Sequence, residues 1–245
     1  MRTLKRAIPG FVFVIVVSAL SFILWANDAA QPTEAALQSL NSDVQVTVTQ
    51  RADSIIFEPA ARQASTGFVF YPGGRVDVRA YAPALRRIAA QGYWVVALNV
   101  KLNLALFDVE AADRVIAEYP QIEYWAVGGH SFGGVAAFSF AAKHPGRVNG
   151  LILWASYPAN DLLKQSSLRV LSIYGTLDMT GADTFAEKNA LLPPGAQIVV
   201  IEGGNHAQFG DYGPQPGDPA ATISHADQQE QVVQAVVQFL ASLSQ

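Results

Sequence analysis

The sequence predicts an α/β protein in which an open, mostly parallel sheet carries helices on both faces. Short, almost wholly apolar runs recur along the chain, and between them lie longer stretches with apolar residues at helical spacing. Runs of the first kind are strands buried on both faces. Alternating with helices, they require right-handed crossovers, which set the strands side by side in one sheet.

The chain begins with Arg2, Lys5 and Arg6, followed by an uncharged apolar run from Ala7 to Ala26. About twenty helical residues span roughly 30 Å, the thickness of a bilayer's hydrocarbon core. Trp25 suits the interfacial zone, and the basic cluster ahead of the run places the N-terminus in the cytoplasm and the remainder outside. The run exceeds the length usual for a cleavable signal, and Ala26 to Ala30 offers only a poor cleavage site. A retained anchor over residues 1–26 is therefore expected, holding an extracytoplasmic domain. Secretion after cleavage is the alternative. Residues 27–40 turn polar and Ala-rich around Pro32 and read as a linker or short helix. The globular domain is expected from 41 to 245.

Val44 to Thr49 alternates apolar and polar residues, as an exposed-faced strand does, with Ser54 to Phe57 as its partner. Buried strands are expected at Gly67–Tyr71, Trp94–Asn99, Tyr124–Gly128, Leu151–Ala155, Val170–Tyr174 and Gln197–Ile201. Helices are expected at Val78–Gln91, ending at Gly92; at Asp108–Tyr119, capped by Asp108 and stopped by Pro120; at Ser131–Lys143; and at His225–Leu243.

With 245 residues, a formal charge of -4 and no cysteine, the chain lacks the basic character of a nucleic-acid binder and cannot use thiol chemistry or disulfides. No phosphate loop, metal-ligand cluster or dinucleotide fingerprint is present, so no metal or cofactor is expected.

In an open parallel sheet the reactive groups gather beyond the carboxyl ends of the strands. After the Tyr124 strand comes Gly129-His130-Ser131-Phe132-Gly133, a G-x-S-x-G pattern between strand and helix. There the serine sits on a strained turn, and glycines on either side keep Cβ atoms out of the tight crossing. The plainer reading is a glycine-rich turn with a capping serine; the strand before and helix after favour a nucleophile. A serine needs a base oriented by a third group. Asp178 follows the Val170 strand and His206 the Gln197 strand, each in the loop directly after it. Of the other histidines, His130 adjoins the serine, His144 precedes Pro145 at a helix end, and His225 opens the last helix. Asp183 reads as a cap after Gly181, and Glu202 lies close to its strand end. The oxyanion hole is expected from the Phe132 amide and one from Tyr71-Pro72-Gly73-Gly74-Arg75, either Gly74 or Arg75.

These motifs, in this order from about Val44 to the end, resemble the α/β-hydrolase superfamily, and more narrowly the small, lid-poor bacterial hydrolases related to dienelactone hydrolase. The resemblance implies an eight-stranded sheet and a Ser131–His206–Asp178 triad acting on a small-molecule ester without metal or cofactor. Tyr71-Pro72 replaces the histidine that leads the oxyanion loop of many lipases, and serine replaces the cysteine of dienelactone hydrolases, so their substrate does not carry over. The stretch from Ser156 to Leu168 leaves no room for a large lid. The long Gly- and Pro-rich loop after His206 is expected to supply Phe209 and Tyr212 to the pocket wall, with Tyr71 and Arg75 as further pocket residues. The expected reaction is ester hydrolysis; thioester or peptide cleavage by the same groups, and a non-catalytic binding role, are the rivals.

Overall fold

The computed structural model describes residues 4–60 and 64–245, with side chains from residue 13 onward in the first helix. Eight strands form one sheet: β1 (Val46–Gln50), β2 (Ser54–Pro59), β3 (Thr66–Tyr71), β4 (Trp94–Leu98), β5 (Tyr124–His130), β6 (Gly150–Trp154), β7 (Arg169–Gly175) and β8 (Gln197–Ile201). Their spatial order is β1-β2-β4-β3-β5-β6-β7-β8. β2 runs antiparallel to both β1 and β4; every pairing from β4 through β8 is parallel.

Side-chain alternation divides the sheet into two cores. Phe68 and Phe70 of β3 face one side, with Trp154 and Ile173, and meet Leu85 and Ile88 of α3 (Ala82–Ala89) and Val236 and Phe239 of α7 (His225–Leu243). Val69 faces the other side with Val127 and Leu153, against Val115 and Ile116 of α4 (Ala111–Glu118) and Ala136 and Phe140 of α5 (Phe132–Lys143). The closing helix on the second half of the sheet has the expected limits. α6 (Ala182–Asn189) flanks β7, with Asp183 in its first turn.

Several local expectations give way to packing. The helix expected from Val78 is a 3-10 turn, Val78–Tyr81, capped by Asp77, and only then α3. α4 starts at Ala111 without a side-chain cap, because Asp108 instead pairs with Arg114. β8 is apolar in sequence but lies at the sheet edge, where Ile198 and Val200 are exposed. The stretch 27–40, expected as a linker or short helix, is folded onto the domain. Ala30 bridges to Val76, Thr33 N–H donates to the Asp211 carbonyl, and Ala36 of α2 (Glu34–Gln38) is buried.

Before that stretch runs α1 (Leu4–Asn27). Among the described residues, no helix is long and apolar enough to cross a membrane. The span expected at residues 7–26 begins among residues whose side chains lie outside the description; from Phe13 to Trp25 its large apolar side chains are exposed.

Candidate active site

Ser131 ends β5 and begins α5 with φ 51° and ψ -121°, a conformation that L-residues avoid. Its side chain makes no capping hydrogen bond, which disfavours the plain reading of a capping serine. The turn exists because two glycines let three backbones cross. A Cβ on Gly129 would meet the backbone of Gly133, and one on Gly133 would meet the carbonyl oxygens of Tyr71 and Pro72. Ser131 N–H donates to the Trp154 carbonyl (2.9 Å), and Ser156 Oγ donates to the Ser131 carbonyl (2.8 Å). The end of β6 and the residues after it thus brace the turn on the side away from Tyr71.

Asp178 and His206, in the loops after β7 and β8, meet in a buried pair, with Nδ1 of His206 2.9 Å from Oδ2 of Asp178. A carboxylate partner accepts the Nδ1 proton and leaves Nε2 as the basic nitrogen. The two loops lie backbone to backbone. Leu177 N–H donates to the Gly204 carbonyl (2.9 Å), and a Cβ on Gly175 would collide with that same carbonyl. Ser131, Phe132, Val135, Ala155, Ser156, Tyr157, Thr180 and His206 line one cavity of about 200 Å³. Serine, histidine and, behind the histidine, the acid are therefore brought to one place. Residues 156–168 contain no helix or strand, and Ser156 and Tyr157 form the cavity's edge directly.

The backbone amides of the loop after β3 differ in what they meet. Gly73 N–H donates to Tyr81 Oη (3.0 Å) and Arg75 N–H to the Asn103 carbonyl (2.8 Å). Among the described residues, the Gly74 and Phe132 amides have no acceptor. Gly74 lies against Phe132, whose Cδ2 would be 2.9 Å from a Cβ at position 74. Two free amides beside a helix N-terminus form a site suited to negative charge.

The four residues expected in the pocket do not line this cavity. Tyr71 is fully buried, its hydroxyl donating to the Val109 carbonyl and accepting from Ala112 N–H. Phe209 is also fully buried and stacks on His130 at 5.8 Å between centroids, as core under the site. Arg75 turns away to Trp25 and Asp28. Tyr212 and Arg75 line a separate cavity of about 490 Å³ with Gly74, Ala30 and Pro214. Aromatic residues in a glycine-rich loop fit a pocket wall or a core equally well by sequence.

Other residues carry no sequence signal but shape the site. Asp218 accepts from Met179 N–H (3.1 Å) and His206 N–H (3.3 Å) on Oδ1, and from Ala207 N–H (2.8 Å) on Oδ2, tying the acid loop to the histidine loop. Gln228 of α7 satisfies both backbone groups of Asn205. His130 is buried behind His206, 4.5 Å between ring centroids, with Nδ1 2.8 Å from Tyr81 Oη. Burial, and then the neighbouring His206, hold His130 neutral, well below its usual range. Burial raises the Tyr81 hydroxyl in the same way. His144 caps α5 and meets Glu110 (2.6 Å). His225, at the start of α7, places its Nε2 3.2 Å from the Gly210 carbonyl. Among the described residues, no group of three or more His, Asp or Glu side chains is placed to hold a metal ion.

The fold is similar to that of several solved structures at low sequence identity. The esterase domain of a Rhodothermus marinus protein is 14% identical, with 79% of this chain and 97% of that one covered and a TM-score of 0.61. Est1E from Butyrivibrio proteoclasticus is 12% identical, covering 82% and 99%, with a TM-score of 0.58. A thermostable esterase from Pseudomonas putida ECU1011 is 14% identical, covering 85% and 87%, with a TM-score of 0.57. At such identities the likeness establishes the fold alone. No curated protein sequence matches the chain significantly. The sequence model of the alpha/beta hydrolase family matches residues 67–230, from β3 with its free-amide loop through Ser131, Asp178 and His206 to the start of α7. The chain therefore belongs to the α/β hydrolase family.

Proposed function

We propose that this protein is a serine hydrolase that cleaves carboxylic esters of small acyl groups and is tethered to a membrane by its N-terminal helix. The observation that carries the reading is a strained serine sharing one cavity with a buried histidine–aspartate pair. His206 Nε2 takes the proton from Ser131 Oγ as that oxygen bonds to the ester carbonyl carbon. The Phe132 and Gly74 amides hold the resulting oxyanion. His206 then gives the proton to the alkoxide leaving group as the ester C–O bond breaks. Water, deprotonated by His206, hydrolyses the acyl-enzyme and the proton returns to Ser131. Asp178 holds the imidazole tautomer and its orientation throughout.

A cavity of about 200 Å³ lies below the range of typical ligand pockets, which favours a short acyl group. With no lid element over residues 156–168, this fits the small, lid-poor members of the family. The exposed apolar side chains from Phe13 to Trp25 support the tether, because a long apolar surface is rarely left in water. The test is fluorophosphonate treatment of the full chain beside Ser131→Ala, with peptide mapping of the adduct. Labelling at Ser131 that the variant loses is the expected result. A folded protein that takes no label would leave a binding role as the better account. Membrane fractions washed with carbonate should retain the chain, and release into the supernatant would remove the tether.

A further inference from the structure

The chain leaving α1 is built into the loop that carries Gly74. Arg75 Nε donates to the Trp25 carbonyl (2.8 Å), and Nη2 donates to the Asp28 carbonyl (2.6 Å) and to Asp28 Oδ2 (3.0 Å). The guanidinium also lies 4.7 Å from the centre of the Trp25 ring. Asn103 Nδ2 donates to the Ala26 carbonyl (3.2 Å), while its own carbonyl accepts from Arg75 N–H. Ala30 N–H donates to the Arg75 carbonyl (2.7 Å), and Asp77 N–H to the Ala30 carbonyl (3.0 Å).

A helix ends with carbonyls that lack partners and a negative dipole end, which a cation relieves. α1 has no basic residue in its own last turn. The cation comes instead from the residue after Gly74. Three non-glycine residues with positive φ, Arg75 (57°), Leu102 (55°) and Asn103 (51°), gather at this junction. Such backbones persist only where their surroundings over-determine them.

We propose that Arg75 is a positioning residue: by binding the Trp25 carbonyl in the last turn of α1 and the Asp28 carbonyl just past its end, it holds its own left-handed backbone, and with it the Gly74 amide, in place beside Phe132. This rests on the serine-hydrolase reading and extends it, since the end of the N-terminal helix becomes part of the oxyanion hole. The planar guanidinium reaches two carbonyls on different atoms, which an ammonium cannot do, so lysine is an incomplete substitute. The ion pair itself adds little, because Asp28 is largely exposed.

The test compares Arg75→Ala and Arg75→Lys with the wild type, all as full chains in detergent. Hydrogen exchange over residues 72–77 reads the loop. Turnover of a short-chain ester and affinity for a boronate, which mimics the tetrahedral oxyanion, read the site. The alanine variant is expected to exchange faster there, to lose about 10- to 100-fold in kcat with KM little changed, and to lose boronate affinity in proportion. Losing an oxyanion donor outright costs about 100- to 1,000-fold, and a displaced donor should cost less. Lysine should fall between. Unchanged exchange in Arg75→Ala overturns the proposal, as does faster exchange with wild-type kcat and boronate affinity. A residue needed only for folding would lower the unfolding midpoint without separating kcat from KM. If the wild type neither turns over ester nor labels at Ser131, the hydrolase reading fails, and the exchange result alone decides whether Arg75 holds the loop.

Discussion

Replacing Asp218 should damage catalysis more than its place in a surface loop suggests. Its carboxylate accepts from Ala207 at 2.8 Å, Met179 at 3.1 Å and His206 at 3.3 Å, so one side chain sets the spacing between the Asp178 and His206 loops. A hydrogen bond to a charged group contributes about 1.5–3 kcal/mol. Two of the three are long and the side chain is only partly buried, so water recovers part of that. About 2–4 kcal/mol for Asp218→Ala is the resulting expectation, most of it local to the two loops. A misplacement of about 1 Å in a catalytic group costs on the order of 100-fold in rate. Asp218→Ala should therefore lose about 100-fold in kcat with KM within about twofold. Asp218→Asn keeps one accepting oxygen but turns a donor toward the other amides, and should lose about 10-fold. Steady-state kinetics on a short-chain ester, beside urea unfolding, provides the measurement. Asp218→Ala with kcat within twofold of wild type but a lowered unfolding midpoint would show that the carboxylate supports folding and not the histidine's position.

Gly133→Ala should be disabling, since its Cβ would meet two backbone carbonyls with no flexible side chain to yield; overpacking of this kind costs about 1–3 kcal/mol or more, and a wild-type thermal midpoint would contradict the tight crossing. His130 gives the protein an acid-sensitive core. The folded state holds it neutral while the unfolded chain takes up a proton near 6.5, so its stability contribution is full above 6.5 and is lost as pH falls below it. The loss is at most about 1.4 kcal/mol per pH unit. His130→Gln should flatten that slope in urea unfolding between pH 7 and 5, and equal slopes would refute the assignment. Among p-nitrophenyl esters, acetyl and butyryl groups should be preferred to dodecanoyl by kcat/KM, as the small cavity lined by Val135 and Tyr157 requires; the reverse preference would mean that the chain is accommodated elsewhere.

The sequence by itself determined the layered α/β architecture and the positions of the chemically capable loops. Both follow from local physics. A buried parallel strand reads as an unbroken apolar run, and Gly129 and Gly133 mark a crossing that no other residue fits. Asp178 and His206 were legible as partners because each stands directly after a strand in one parallel sheet, whose carboxyl ends share an edge. Only the tertiary structure decided which way the remaining side chains face and what they meet. Phe209 lies beneath His130 and does not line the Ser131 cavity, Tyr71 accepts from the Ala112 N–H in the first turn of α4, and Arg75 reaches residues almost fifty positions earlier. β8 looks as buried as β6 until its place at the sheet edge is known. Asp218 and Gln228 act through backbone amides, which leave no imprint in the sequence around them. The free amide of Gly74, too, follows only from seeing that Tyr81 and Asn103 have already engaged its two neighbours. Periodicity and turn chemistry are set within a few residues of chain. Orientation and partner choice are set by segments that meet only when the sheet is complete.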